Sequence, residues 1–309
     1  MDMFDRGFGS LLGLFVGDAF GAQTEFDTEA KLKEEYPDGI LEMTDRDRWI
    51  GEAGMITDDS EMAIMLATSL IECRGFVQKD VRRQYIKWLD TLPSDLGTTI
   101  LKALREGEQS PESQANGALM RMAPLALFGV NLDIEQLIEI SDGDCAITHI
   151  HTVCRDANRL WALAIAKAVR DGGTKEEIYS YLCEQAPKYT QATGLLSALH
   201  DARTREPEYC DAPNQGWVLI ALQQSLYTLL HSNTIEEGIR AITMRGGDAD
   251  TNAAIYGMLV GAIEGAKAIP DRWIKALRCT RCLEDLLGED SRDMEALARK
   301  LTEGLLAEE

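Results

Sequence analysis

Apolar residues recur at helical spacing along most of the chain. Leu11, Leu12, Phe15, Val16, Ala19 and Phe20 mark one stripe. Met62, Met65, Leu66, Ser69 and Leu70 mark another, directly behind Asp58 and Asp59. Val81, Tyr85, Trp88, Leu89 and Leu92 form a third, and Ile100, Leu101 and Leu104 a shorter one. Later stripes run through 160–169, 217–230, 255–263 and 294–306. Breakers fall between them: Pro37-Asp38-Gly39, Pro93, Pro111, Asp171-Gly172-Gly173, Pro213-Asn214 and Pro270. No run alternates as a strand would, and no linker, low-complexity tract or short-period repeat interrupts the pattern. The pattern predicts an all-α protein: residues 1–309 as a single compact orthogonal domain of about ten or more helices.

Two stretches stay polar or glycine-rich where an apolar core is the simpler solution, 51–60 and 245–252. The first contains Thr57-Asp58-Asp59-Ser60 at the start of a helical stripe. Capping alone accounts for such a cluster, because Asp and Ser are good N-caps and the helix dipole favours negative charge there. The second is Arg245-Gly246-Gly247-Asp248-Ala249-Asp250-Thr251-Asn252, also ahead of a stripe. Its glycines permit a sharp turn or close backbone approach. Capping requires one carboxylate, not two plus a hydroxyl. If the two helix starts meet, Asp58, Asp59, Asp248 and Asp250 converge with Thr57 and Thr251, and their repulsion calls for cations. An all-oxygen donor set suits Mg²⁺, Mn²⁺ or Ca²⁺. Four carboxylates suit two ions, about 3.5–4 Å apart in typical two-metal sites.

Charge narrows the range of partners. Lys plus Arg number 31 against 52 Asp plus Glu, a formal charge of −21. Such a surface repels phosphate backbones, so neither non-specific nucleic-acid binding nor docking on an anionic membrane is expected. A bound divalent cation reverses the field locally and allows an anionic small molecule to be held. No apolar run reaches the roughly 20 residues of a membrane helix. The cysteines are Cys73, Cys145, Cys154, Cys183, Cys210, Cys279 and Cys282. Their odd count, the chain length and a start without a basic leader point to reduced thiols and a cytoplasmic location. Cys279 and Cys282 read as helix residues one turn apart rather than as a zinc pair.

The motifs as a set resemble the ADP-ribosylglycohydrolases, the group that includes the dinitrogenase-reductase-activating glycohydrolase and related ADP-ribosyl-arginine hydrolases. In family order they are Gly13-Leu14-Phe15-Val16-Gly17-Asp18-Ala19-Phe20-Gly21-Ala22 with Glu25, then Thr57-Asp58-Asp59-Ser60 and Asp95-Leu96-Gly97-Thr98-Thr99. Asn116-Gly117-Ala118-Leu119-Met120-Arg121, Thr148-His149 and Gly246-Gly247-Asp248-Ala249-Asp250-Thr251-Asn252 complete the set. The first and last are the most specific. Departures are modest: Ser60 stands where Thr is common, Phe20 and Gln23-Thr24 alter the first motif, and His151 adds a second histidine after His149.

The resemblance implies an all-α domain with a binuclear Mg²⁺ or Mn²⁺ centre in a cleft. It implies metal ligation by Thr57, Asp58, Asp59, Asp248, Asp250 and Thr251. It places Glu25, Asp95 and Asp59 as candidates for catalysis, and Asn116, Gly117, His149, Gly246 and Gly247 against the substrate. The implied activity is hydrolysis of the glycosidic bond between ADP-ribose and a modified protein, foremost at arginine, with ADP-ribose released. Serine, nucleobase or small-molecule linkages are alternatives, as are a non-catalytic ADP-ribose-binding protein on the same fold and a metal-dependent phosphohydrolase. Asp18 is expected to be a buried, hydrogen-bonded acid that shapes the site, and His149 and His151 are not expected to form a metal pair. Trp217 and Tyr227 are expected in the core, Met62, Met65, Met120 and Met122 as gap-fillers, and 306–309 as a solvated end.

Overall fold

The computed structural model describes residues 1–45, 51–208 and 214–307. Among these, sixteen α-helices follow one another: α1 (Met3–Gly21), α2 (Glu29–Glu35), α3 (Asp58–Cys73), α4 (Gln78–Asp90), α5 (Thr98–Leu101), α6 (Ala123–Phe128), α7 (Ile134–Thr148), α8 (Thr152–Asp171), α9 (Lys175–Tyr189), α10 (Thr193–Asp201), α11 (Val218–His231), α12 (Ile235–Thr243), α13 (Ala249–Glu264), α14 (Asp271–Ala276), α15 (Arg281–Leu287) and α16 (Met294–Leu305). The β pairing among the described residues amounts to three isolated bridges, Thr28 with Gly246, Met55 with Arg278 and Ala115 with Trp217. The helical periodicity is thus borne out. Among the described residues no helix is long and apolar enough to cross a membrane.

One apolar cluster fills the interior, with contributions from α1, α3, α4, α8, α11, α13 and α16. Helix α4 shows the common one-sided pattern, burying Val81, Gln84, Tyr85, Trp88 and Leu89. Helices α1 and α13 do not. Every residue of 7–21 and of 249–263 is buried, so the single stripe expected for α1 is corrected to burial on all sides.

Small residues explain that burial. Glycines recur every fourth position of α1 at Gly9, Gly13, Gly17 and Gly21, which places them on one face. A Cβ at Gly13 would lie 2.1 Å from the Gly257 carbonyl oxygen, and one at Gly9 2.4 Å from that of Gly261. Gly17 and Gly21 meet the carbonyls of Ala253 and Ala249 in the same way. The order runs antiparallel, so the end of α1 lies against the start of α13. Asp18 and Asp248, 230 positions apart in sequence (248 − 18), are brought to the same end of this backbone seam.

Three local expectations are corrected. Trp217 is not core: it is 38% exposed just before α11, and its indole N–H donates to Gln114 Oε1 at 3.0 Å. Tyr227 is only half-buried and stacks on His231 at a centroid distance of 4.0 Å. Cys279 precedes α15 rather than sharing it with Cys282, because Thr280 is the N-cap. The six described cysteines are free thiols. Cys210, Pro213 and the last two residues, Glu308 and Glu309, lie outside the described residues.

Candidate metal centre and substrate cleft

The α3 start is closed by an acid from another helix. Asp18 of α1 accepts from the Thr57 amide at 3.0 Å, from Thr57 Oγ1 at 2.6 Å, from the Ser60 amide at 3.1 Å and from the Ser60 hydroxyl. Thr57, at the N-cap position, makes no side-chain cap of its own, and neither does Asp248 at the start of α13. The capping explanation for Asp58-Asp59 is therefore overturned. Asp18 does that work, as the buried, site-shaping acid it was expected to be.

Asp59, Asp248 and Asp250, free of capping, gather with Asp18 and Glu25 in two trios. Carboxylate oxygens of Asp18, Asp59 and Asp250 lie within 4.8 Å of one another, and so do those of Glu25, Asp248 and Asp250. Asp250 belongs to both. Thr57 Oγ1 lies 3.2 Å from Asp59 Oδ2, while Asp59 Oδ1 is buried without a hydrogen-bond partner. Asp58 stands outside both trios, beside Asp95.

Electrostatics in this corner are unfavourable. Burial first, then Asp95 and Asp59, holds the Asp58 carboxyl well above its ordinary range. Burial, then Asp18 and Asp248, does the same to Asp59, and burial, then Glu25 and Asp59, to Asp250. Asp248 is raised by burial against the opposing hydrogen bonds of Asn116 and Thr251. Among the described residues none of Asp58, Asp59, Asp248 and Asp250 has a Lys or Arg partner. Buried charges persist when paired or when they coordinate metals. An orphaned carboxylate oxygen within an all-oxygen donor set fits a hard divalent cation.

Above the acids opens a cleft of about 400 Å³, lined by Glu25, Asp58, Asp95, Asn116, Gly117, His149, Asp248, Asp250 and Thr251. Asn116 donates through Nδ2 to Asp248 Oδ2 at 2.6 Å, and its amide to the Gly216 carbonyl at 3.1 Å. His149 is buried at the end of α7, whereas His151 accepts from the Val153 amide at 3.1 Å as the N-cap of α8. The two histidines thus have separate tasks.

Gly246 and Gly247, expected to face the substrate, do not line the cleft. Both have positive φ. The Gly247 amide donates to the Asp27 carbonyl at 2.8 Å, the Gly246 amide to the Thr243 carbonyl at 3.1 Å, and the Phe26 amide to the Gly247 carbonyl at 2.6 Å. A Cβ at Gly246 would sit 2.1 Å from the Asp27 carbonyl oxygen. These glycines strap the Glu25 loop to α13 instead. Sequence reasoning also missed Gln215 and Gly216, which line the cleft; a lone Gln-Gly carries no signal of its own. Met120, expected only as filler, reaches the cleft as well.

Comparison with known proteins gives a consistent result. The family model described as ADP-ribosylglycohydrolase matches residues 1–306. The chain is 30% identical over 284 residues to the ADP-ribosyl-[dinitrogen reductase] glycohydrolase of Rhodospirillum rubrum, covering 88% of this chain and 90% of that one. It is 23% identical over 292 residues to the ADP-ribosylarginine hydrolase Tri1 of Serratia proteamaculans, covering 89% and 76%. A solved structure described as an ADP-ribosylglycohydrolase-related protein complex superposes with a TM-score of 0.79 at 31% identity, covering 98% of this chain and 99% of the other. The chain belongs to the ADP-ribosylglycohydrolase family, whose members are metal-dependent glycohydrolases.

Proposed function

We propose that this chain, acting as one unit from end to end, hydrolyses the bond between ADP-ribose and an arginine side chain of a modified protein, releasing ADP-ribose. The observation that carries this reading is the buried, partnerless Asp59 Oδ1 among converging carboxylates at the base of a cleft of ligand size. The arginine linkage draws support from the name of the Serratia relative, and a modified protein as target from that of the Rhodospirillum relative. Six free thiols support a reducing, cytoplasmic setting.

Thr57, Asp58, Asp59, Asp248, Asp250 and Thr251 would hold two Mg²⁺ or Mn²⁺ ions, with Glu25 within reach of the same corner. Bound there, the ions supply the positive charge the carboxylates lack and Lewis-acid polarisation of substrate oxygens. The remaining chemistry belongs to the chain. Asp18 fixes the start of α3 and with it the direction of Asp59. Asn116 does the same for Asp248. Gly117 and His149 line the space for the ADP-ribose body. Cleavage at the anomeric carbon passes through an oxocarbenium-like state, and a water must lose a proton as it attacks. Asp95 lines the cleft outside both acidic trios, which suits its carboxylate to take that proton as general base. A guanidinium leaving group needs little acid assistance.

Defined peptides carrying arginine-linked or serine-linked ADP-ribose test the assignment, with Mg²⁺ or Mn²⁺ added or chelated. The expected outcome is metal-dependent release of ADP-ribose from the arginine peptide, and a loss of about a hundredfold or more in Asp248→Asn/Asp250→Asn. Wild-type rates in that double variant would overturn the reading.

A further inference from the structure

A buried polar chain backs the part of the cleft lined by Gly117 and His149. At its centre is Arg121, fully enclosed. Its Nε donates to Asp144 Oδ2 at 3.1 Å, and its Nη1 to the Gly117 carbonyl at 3.2 Å. Its Nη2 donates to the Asp144 carbonyl at 3.2 Å and to Thr148 Oγ1 at 3.0 Å. The Tyr85 hydroxyl donates to the other Asp144 oxygen at 2.7 Å, and the guanidinium lies 4.5 Å over the Tyr85 ring. One side chain thus ties both cleft residues, Gly117 and His149, to the core.

One hydrogen-bond direction is fixed outright, and it guides the next. A guanidinium has donors only, so Thr148 Oγ1 must accept from Arg121. The other partner of that hydroxyl is His149 Nδ1, at 2.8 Å. That hydroxyl still has one proton to donate, and Nδ1 is the acceptor within its reach; with the proton placed there, Nδ1 accepts. A neutral imidazole that accepts at one nitrogen carries its proton on the other. Nε2 is buried and has no hydrogen-bond partner within the protein, on a residue that lines the cleft.

We propose that the Arg121–Thr148 pair holds His149 as the neutral Nε2–H tautomer, a hydrogen-bond donor for an acceptor oxygen of the bound ADP-ribose. This inference rests on the reading of the cleft as an ADP-ribose site. Burial, reinforced by the Arg121 charge, pushes His149 down to about 3, so the ring stays neutral at ordinary pH. Thr148 and Arg121 act as positioning residues: neither lines the cleft, and each acts through His149. The acceptor oxygen belongs to the diphosphate or to the distal ribose, and comparing ADP with ADP-ribose separates the two.

Long-range ¹H–¹⁵N spectra of the four histidines of the full chain, with His149→Gln assigning the resonance, read the tautomer directly. Calorimetry with ADP-ribose and with ADP in Mg²⁺ reads the ligand side. The expected results are a protonated Nε2 and an unprotonated Nδ1 at pH 7, and about fivefold weaker ADP-ribose binding in Thr148→Val. Thr148→Ser, which keeps the hydroxyl, restores both. A loss shared by ADP places the acceptor on the diphosphate; a loss confined to ADP-ribose places it on the distal ribose. A protonated Nδ1, or undiminished affinity in Thr148→Val, would overturn the inference. Should Thr148→Val fail to fold, the wild-type spectrum decides alone. If the unaltered chain binds neither ligand, the functional reading and the ligand half of the inference fall together, while the spectrum still judges the tautomer.

Discussion

Two buried charged regions, one at the base of this cleft and one behind its wall, are built on opposite terms. Around Arg121 the charges are closed: Asp144 uses both oxygens, and the guanidinium meets a carboxylate, two carbonyls, a hydroxyl and an aromatic face. At the starts of α3 and α13 the charges are open: acids face acids, and Asp59 Oδ1 has no partner. A closed network holds shape. An open one destabilises the fold until something from solution completes it, which is the signature of a binding site.

Substitution should therefore move the two regions in opposite directions. The largest effect is expected on the closed side. Arg121→Met leaves Asp144 buried beside unmet acceptors and should cost about 3–5 kcal/mol in urea unfolding. The double variant Arg121→Met/Asp144→Leu should recover part of that loss, since it removes the uncompensated charge. Equal stability of Arg121→Met and wild type would show that the network is not closed.

On the open side, Asp59→Asn removes one like charge and keeps the shape. In chelator it should raise stability by about 1–2 kcal/mol, while abolishing any stabilisation by Mg²⁺ or Mn²⁺. A thermal scan of both proteins, with and without metal, checks the pair of signs. A destabilised Asp59→Asn in chelator would break the comparison.

The smallest effect is in pH. Asp58, Asp59 and Asp250 bind protons more tightly folded than unfolded, burial being the first cause. From about pH 4 upward the metal-free folded state thus holds more protons, and these groups lower stability as pH rises. His149, depressed to about 3, acts in the other direction: its contribution is present above about pH 6.5 and is lost as pH falls toward 3. Saturating metal competes with the carboxylate protons and should flatten that decline. Melting curves between pH 5 and 8 in chelator and in Mg²⁺ test this; a decline that metal leaves unchanged would contradict it.

Much of this was legible in the sequence, unevenly. The helical period and its breakers locate α3, α4, α8, α11, α13 and α16, because each carries an apolar face long enough to read. Helix α1 is legible but its surroundings are not, since a stripe implies one buried side and says nothing of a second helix pressed on glycine backbone. The repeat Gly9, Gly13, Gly17, Gly21, with Gly257 and Gly261, carries that information once the partner is known. The acidic pairs were legible as a group, because too many carboxylates stood where one cap suffices. For Gly246 and Gly247 the sequence does not separate a turn that faces a ligand from a strap, because the two look alike until the Asp27 carbonyl stands against them. Trp217 misled for a related reason: its apolar body suits a helix stripe, and only the Ala115 bridge shows that it lies outside one.

The central claim is that the starts of α3 and α13 together hold divalent cations. Crystals of the unaltered chain grown with Mn²⁺ and measured at the manganese absorption edge test it most directly. The account predicts two anomalous peaks, each within coordination distance of Asp59, Asp248 or Asp250. Manganese elsewhere on the surface, with this corner empty at full Mn²⁺ concentration, would contradict it.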